Sequence, residues 1–366
     1  MATKEKSAVI AVPELSFHEA KDLLKECIRL HFKGHRNTQA LIVGSPACGK
    51  TSCVKEASFE MDCEYEADHP AFNDPTDVKG LPWPDRSGDK AGHVPFALYK
   101  KLIDATKPIV FCIDDLGQGT AAVQASYMPL LFDRKIGNHK ISDQVVIFAT
   151  TNKKTDRAGV SGLLEPVKSR FGTIFNLGID GNEWIQWAIK NDCDPSVIAY
   201  HKFWEGKGGD WSHLYKFVAT ADMTNSPNYR GWASVGLNLM KMNLPGRTRR
   251  IAIAGAIGSE ESTNFMDYLE TVNKIPSIDS ILRDGKNGQV PDEPGILFAT
   301  VCALVYRVLP KQMQHFADYV LKLNDAGRAE FAAVMMKDIQ HRSDAHSLIN
   351  NTHFQKIYMS LSHLIG

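Results

Sequence analysis

Apolar residues recur three and four positions apart across Phe17–Phe32, with charged residues between them, which predicts an amphipathic helix with Ser16 as its N-cap. A different pattern follows. Ala40–Val43, Ile109–Ile113 and residues 144–150 are short apolar runs without alternation, so each reads as a strand buried on both faces, and 174–177 is a candidate fourth. Helical spacing returns at 53–61, 96–105 and 123–132. Strands alternating with helices predict an α/β fold, a parallel sheet sandwiched by helices. Residues 71–94 are dense in Pro, Gly, Asp and Trp and read as an exposed loop with no regular core element. Past 178–181 strand-like runs become scarce. Helical periods then dominate, broken near 206–209, 245–246 and 286–295.

The clearest chemical signal sits after the first buried strand. Gly44, Ser45, Pro46, Ala47, Cys48, Gly49, Lys50 and Thr51 match GxxxxGK[ST], the P-loop pattern, at every fixed position. Glycines let backbone N–H groups curl around a phosphate chain, and the following helix offers its positive end. Lys50 would reach the β and γ phosphates, the Thr51 hydroxyl would hold Mg²⁺, and Ser52 would stand beside it. An ordinary Gly-rich turn is the bland alternative, weakened by the strand before the motif and the helix after it.

Three further stretches gain meaning from that motif. Asp114 and Asp115 end the second strand, where open α/β sheets bind ligands. Asp114 would hold the metal and Asp115 would orient an attacking water, although two carboxylates alone are as readily a capped strand end. Asn152 follows Thr150 and Thr151 and could hydrogen-bond toward a γ-phosphate or the water; alone it reads as a turn residue. Arg170, in Lys168-Ser169-Arg170-Phe171, reads as a solvated charge unless a neighbouring subunit's phosphate lies against it. Gln118 and Gln124 are more readily helix caps than nucleotide contacts. Lys79, Trp83 and Arg86 could grip a partner or fold over their own loop. Arg247, Arg249 and Arg250 read as a solvated face.

With GSPACGKT at 44–51, IVFCIDD at 109–115, ATTN at 149–152 and PVKSRF at 166–171, the chain resembles the AAA+ ATPases, and within them the MoxR-like branch. Ser226-Pro227-Asn228-Tyr229-Arg230-Gly231-Trp232 is similar to a stretch of their helical lid, and the resemblance covers about residues 17 to 240. It implies a P-loop NTPase domain, an all-helical lid and a helical C-terminal region. The division expected is 1–35 for an N-terminal segment and helix, 36–178 for the nucleotide domain, 179–296 for the lid and 297–366 for the extension. It further implies ATP and Mg²⁺ as cofactors, Asn152 as sensor 1, Arg170 as an arginine finger acting in trans and Arg230 as sensor 2, with Arg157 a second candidate for the interface arginine. The family forms rings, usually hexamers, and remodels partner proteins, often von Willebrand factor A-domain proteins. Where the family usually has Asp-Glu, this chain has Asp114-Asp115. The missing methylene draws the carboxylate back by about 1.5 Å, and a shift of that size can cost on the order of a hundredfold in rate.

Composition narrows the rest. Lys+Arg 42 against Asp+Glu 42 gives zero formal charge and a pI near 7.2, so bulk charge does not indicate nucleic acid or an anionic membrane. The longest apolar run, 297–306, is too short to span a bilayer, and the basic start without a long apolar segment does not read as a signal peptide. Seven cysteines without a CxxC pair favour buried reduced thiols and a cytoplasmic location over a zinc site. The function expected is ATP hydrolysis by a ring that remodels a protein. The alternatives are a nucleotide-dependent interaction module with little hydrolysis and, less favoured, a P-loop kinase acting on a small molecule.

Overall fold

The computed structural model describes residues 12–84, 88, 90–153, 156, 162–206, 211–218, 223–272 and 274–361, so Arg86 and Arg157 lie outside the described residues. The chain divides into two units, Met1–Ile179 and Asp180–Gly366.

Among its described residues the first unit has ten strands: β1 (Glu14–Leu15), β2 (Ala40–Val43), β3 (Glu64–Asp68), β4 (Leu81–Pro84), β5 (Ala91–Val94), β6 (Ile109–Ile113), β7 (Lys135–Ile136), β8 (His139–Lys140), β9 (Val145–Thr151) and β10 (Thr173–Leu177). Its helices are α1 (Phe17–Phe32), α2 (Lys50–Glu60), α3 (Pro75–Lys79), α4 (Ala97–Ile103), α5 (Ala121–Ser126), α6 (Met128–Asp133) and α7 (Glu165–Lys168). Six strands form one wholly parallel sheet in the order β1-β10-β2-β9-β6-β3. The pleat separates alternate residues. Ile109, Phe111 and Ile113 of β6 join Tyr99, Leu102, Tyr127 and Leu130 in one core, while α2 covers β6 and β9 with Cys53, Val54 and Ala57 buried. Helix α1 packs on α2 and begins with a reciprocal cap: Glu19 N–H donates to Ser16 Oγ at 3.3 Å, and Ser16 N–H donates to Glu19 Oε2 at 2.9 Å.

Two expectations need correction. The single helix expected over 123–132 is two, α5 and α6, parted at Tyr127, because Pro129 carries no N–H to continue the first helix. The irregular loop expected over 71–94 contains regular structure. Asp74 and Asp77 cap α3 reciprocally, and β4 pairs with β5 in an antiparallel hairpin, Leu81 opposite Val94 and Trp83 opposite Gly92. An isolated two-stranded ribbon tolerates Pro82 and Pro84, which a central strand would not. The hairpin is braced by the β7–β8 turn. At Gly137 (φ +53°) a Cβ would meet Lys79 O at 2.7 Å and His93 Cβ at 2.8 Å, and His139 Nε2 lies 2.9 Å from His93 O. Trp83 is nonetheless 64% exposed.

Among its described residues the second unit is helical, with two cores. One gathers Trp184, Tyr200, Trp232, Phe265 and Tyr268; the other gathers Phe316, Tyr319, Phe331, Met335 and Phe354. Helix Pro294–Arg307 serves both, giving Ala299 and Cys302 to the first and Leu297, Val301 and Leu304 to the second. The division expected at 296/297 therefore falls within the first turn of a continuous helix. The long apolar run is this helix's buried surface, and no helix among the described residues is long and apolar enough to cross a membrane.

Candidate functional site

Because β2, β9, β6 and β3 are parallel neighbours, their C-terminal ends lie along one edge of the sheet, with Val43 opposite Thr151, Ile113 opposite Ala149 and Asp68 opposite Ile113. The strands release, in that order, the P-loop, Asn152, the Asp114-Asp115 pair and Asp68.

The loop from Gly44 to Gly49 turns tightly enough to require its glycines. Gly49 sits at φ +101°, and a Cβ on Gly44 would lie 2.8 Å from Cys48 Sγ. Gly44 N–H donates to Thr151 O at 3.1 Å, tying the loop to β9. Burial pushes the Cys48 thiol up, which leaves it a packing group beneath the loop. Helix α2 starts at Lys50 behind Gly49 with no side-chain cap, so the donors of its first turn face an anion site unclaimed by a side chain.

Lys50 is buried and its ammonium donates to Gly44 O at 3.0 Å, Ser45 O at 3.1 Å and Asn152 Oδ1 at 2.7 Å. Asn152 also acts on the Asp115 carboxylate and favours its ionised form, so one amide stands between the lysine and the acid. The Thr51 hydroxyl donates to Asp114 Oδ1 at 2.9 Å and Oδ2 at 3.1 Å. Thr150 is the residue that sequence reasoning passed over. Its hydroxyl donates to Asp114 Oδ1 at 2.6 Å and accepts from Asp115 N–H at 2.9 Å, fixing both carboxylates relative to β9. A hydroxyl inside an otherwise apolar buried strand was the available signal.

Asp115 occupies the left-handed region (φ 55°), which Asp tolerates better than most residues, and accepts from Gln118 Nε2 at 3.1 Å. Burial raises its carboxyl above the ordinary value, aided by Asp114 and opposed by Lys50. Gln118 thus touches the acid rather than capping a helix. Gln124 also does something else: its amide donates to Gly119 O and Gly162 O, each at 3.0 Å, and accepts from Leu164 N–H at 3.0 Å, clamping the 162–164 segment.

These donors suit a magnesium nucleotide. Thr51 and Asp114 offer hard oxygens beside the uncapped helix start, and among the described residues no group of three His, Cys, Asp or Glu could hold a metal alone. Mg²⁺ commonly takes one or two protein ligands and completes its shell with phosphate and water oxygens.

Two expected site residues stand elsewhere. Arg170 lies just before β10, whose Thr173 pairs with Ala40, so it sits at the opposite strand end from the P-loop, about 10 Å of strand away. Its Nη1 donates to Pro166 O at 2.6 Å and Ser169 Oγ at 3.2 Å, and the guanidinium lies 5.5 Å over the exposed Phe132 ring. Arg230 is exposed in the first turn of helix Tyr229–Leu237 of the second unit, where the dipole disfavours a cation. The surrounding residues have packing roles: Asn228 Oδ1 caps that helix by accepting Gly231 N–H at 2.8 Å, and fully buried Trp232 donates to His213 O at 3.0 Å.

No family model matches the chain, and no curated protein matches it. Among solved structures, one mutant of RuvB from Thermotoga maritima is 13% identical over 73% of this chain and 74% of that chain, with a TM-score of 0.39. A second RuvB mutant from the same organism is 13% identical over 96% and 91%, with a TM-score of 0.35.

Proposed function

We propose that this chain is a Mg²⁺-dependent ATPase of the AAA+ type and MoxR-like branch, acting as a homo-oligomeric ring, a hexamer, that remodels a partner protein. One observation carries the nucleotide part: Lys50, Thr51, Asp114, Asp115 and Asn152, drawn from two neighbouring strand ends and one helix start, converge on one edge of the sheet, with Lys50 bonded to Asn152 and Thr51 to Asp114. In this reading Gly44 to Ser52 cradle the phosphates of ATP, and Lys50 exchanges a loop carbonyl for a phosphate oxygen. Thr51 and Asp114 hold Mg²⁺, which supplies charge neutralisation at the phosphates. Asp115 holds the attacking water in line, and its raised carboxyl suits proton acceptance. Asn152 keeps Lys50 and Asp115 in register.

The assembly part rests on Arg170. Its distance from its own chain's P-loop and its place beside exposed Phe132 support service to a neighbouring subunit. Arg230 is assigned to the lid's response to nucleotide. Trp83 and Lys79, on or beside the exposed hairpin, are assigned to grip the partner, with a von Willebrand factor A-domain protein as the family expectation.

Lys50→Ala tests the first step: equilibrium binding of ATP should be lost while the fold is kept, and unchanged affinity would sink the reading. The molecular mass with and without ATP and Mg²⁺ tests assembly. A monomer under both conditions removes the ring, and ring formation without turnover selects the interaction module.

A further inference from the structure

The fourth strand on the same edge, β3, ends in a carboxylate that the hydrolytic reading does not use. Asp68 is about nine-tenths buried and takes hydrogen bonds from four neutral groups. His69 N–H donates to Oδ1 at 2.9 Å, Asn73 Nδ2 donates to Oδ1 at 2.9 Å and Oδ2 at 2.8 Å, and the hydroxyls of Tyr99 and Tyr127 both donate to Oδ2. Asn73 Nδ2 also reaches Tyr127 Oη at 2.9 Å, closing the cluster. A buried carboxylate held by neutral donors is costly unless every donor stays in place, so the cluster enforces one arrangement.

That arrangement bears on the site in two ways. Asp114 N–H donates to Asp68 O at 2.8 Å, so the backbone at Asp68 anchors the start of the metal-binding turn. The clamped segment also supports the end of that turn. A Cβ on Gly119 would lie 2.9 Å from Pro70 Cβ, and His69 Nδ1 lies 3.7 Å from Asp114 Oδ2. Residues 69–73 thus form a wall against 114–119, and Asp68 is what fixes the wall to α4 through Tyr99 and to the α5–α6 junction through Tyr127.

We infer that Asp68 is a positioning residue for Asp114 and Asp115: its carboxylate pins residues 69–73 against the carboxylate turn and so sets how well the site accepts Mg²⁺ with nucleotide. This rests on the nucleotide reading above. It differs from a general packing role because it predicts a change in metal dependence rather than in stability alone.

The test is an equilibrium titration of a fluorescent ATP analogue at rising Mg²⁺, read beside amide hydrogen exchange without nucleotide. Asp68→Asn removes the charge at constant size. The Mg²⁺ concentration for half-maximal binding should rise about 5-fold or more, and exchange at 69–73 and 114–119 should quicken while β2 and β9 stay protected. Asn73→Ala, which leaves the carboxylate intact, keeps the question answerable if the first variant does not fold; it should shift the Mg²⁺ midpoint in the same direction by a smaller factor. Phe59→Ala, at a 69% exposed position in the last turn of α2 and outside residues 69–73 and 114–119, should leave the midpoint where it is. Variants that lose stability but keep the wild-type midpoint overturn the assignment of Asp68 alone. A wild-type chain that shows no Mg²⁺-dependent binding overturns the nucleotide reading and this inference together.

Discussion

The two units handle buried polar groups in opposite ways. In the first, polar side chains collect near the C-terminal strand ends, and their hydrogen bonds join different elements there: Lys50 to Asn152, Thr51 and Thr150 to Asp114, the Asp68 cluster to its tyrosines. In the second, the buried charges are internal staples. Lys202 on helix Pro195–Gly206 pairs with Asp338 on helix Ala329–Ile339, away from solvent and among apolar neighbours. His201 is fully buried, and burial holds it neutral, well below its ordinary value. Convergence on a common edge leaves atoms free to exchange partners with a ligand, whereas pairing within a core uses them up. On the proposed function, the difference fits chemistry in the first unit and a mechanical role for the second.

The sharpest way to break this contrast is at Asp115. Asp115→Asn should lower ATP hydrolysis by on the order of 10²–10⁴-fold, with nucleotide affinity retained, measured by phosphate release at saturating ATP. A loss confined to affinity would mean that the carboxylate binds rather than directs water.

The mirror experiment is at the internal staple. Lys202→Ala leaves Asp338 buried and uncompensated, so unfolding free energy should fall by about 3–5 kcal/mol. The double change Lys202→Met with Asp338→Leu should recover most of that loss. Hydrogen exchange should report the damage in helices Pro195–Gly206 and Ala329–Ile339 while β2 and β6 keep their protection. Equal damage in β2 would show that the two units do not divide the polar work as described.

These expectations depend on residues of unequal visibility in the sequence. Strands β2 and β6 were readable to the residue because every position in them is apolar, as burial on both faces demands. Strand β3 was not. Its sequence, Glu-Tyr-Glu-Ala-Asp, is polar because it lies at the sheet edge, where Lys101 pairs with Glu64 and Glu66. Asp68 was hidden for the same reason, since nothing local marks it as the one buried acid in a charged strand. The P-loop residues were legible because their chemistry needs fixed spacing along the chain. The Thr150 bridge and the Gln118 contact were not, because they depend on which strand lies beside which. The hairpin was masked by Pro82 and Pro84, which argue against a strand except in a ribbon of this kind.

A smaller effect tests the clamp between the site and its supporting segment. Gln124→Ala would strand Leu164 N–H and the carbonyls of Gly119 and Gly162, and should cost about 1–3 kcal/mol by chemical denaturation. Its expected loss is below that of Lys202→Ala because no charge is abandoned.

The smallest effect uses the same substitution as the largest. Burial raises the Asp115 carboxyl above its value in the unfolded chain, so the folded state favours the protonated form. The native chain therefore loses stability as pH rises through the folded value, because ionising Asp115 costs more in the folded state than in the unfolded one. Asn cannot ionise, and it also tolerates the left-handed backbone that position 115 requires. Asp115→Asn should then melt slightly higher than the native chain at pH 7, and the gap should close as the pH falls toward the ordinary carboxylate range, where both side chains are neutral. Hydrolysis and stability would move in opposite directions from one substitution, as expected of a group held against its own preference for the sake of chemistry. An Asn variant that melts lower at pH 7, or a gap that widens in acid, would mean that Asp115 is held for packing, and the strand-end cluster would then differ little in kind from the staple in the second unit.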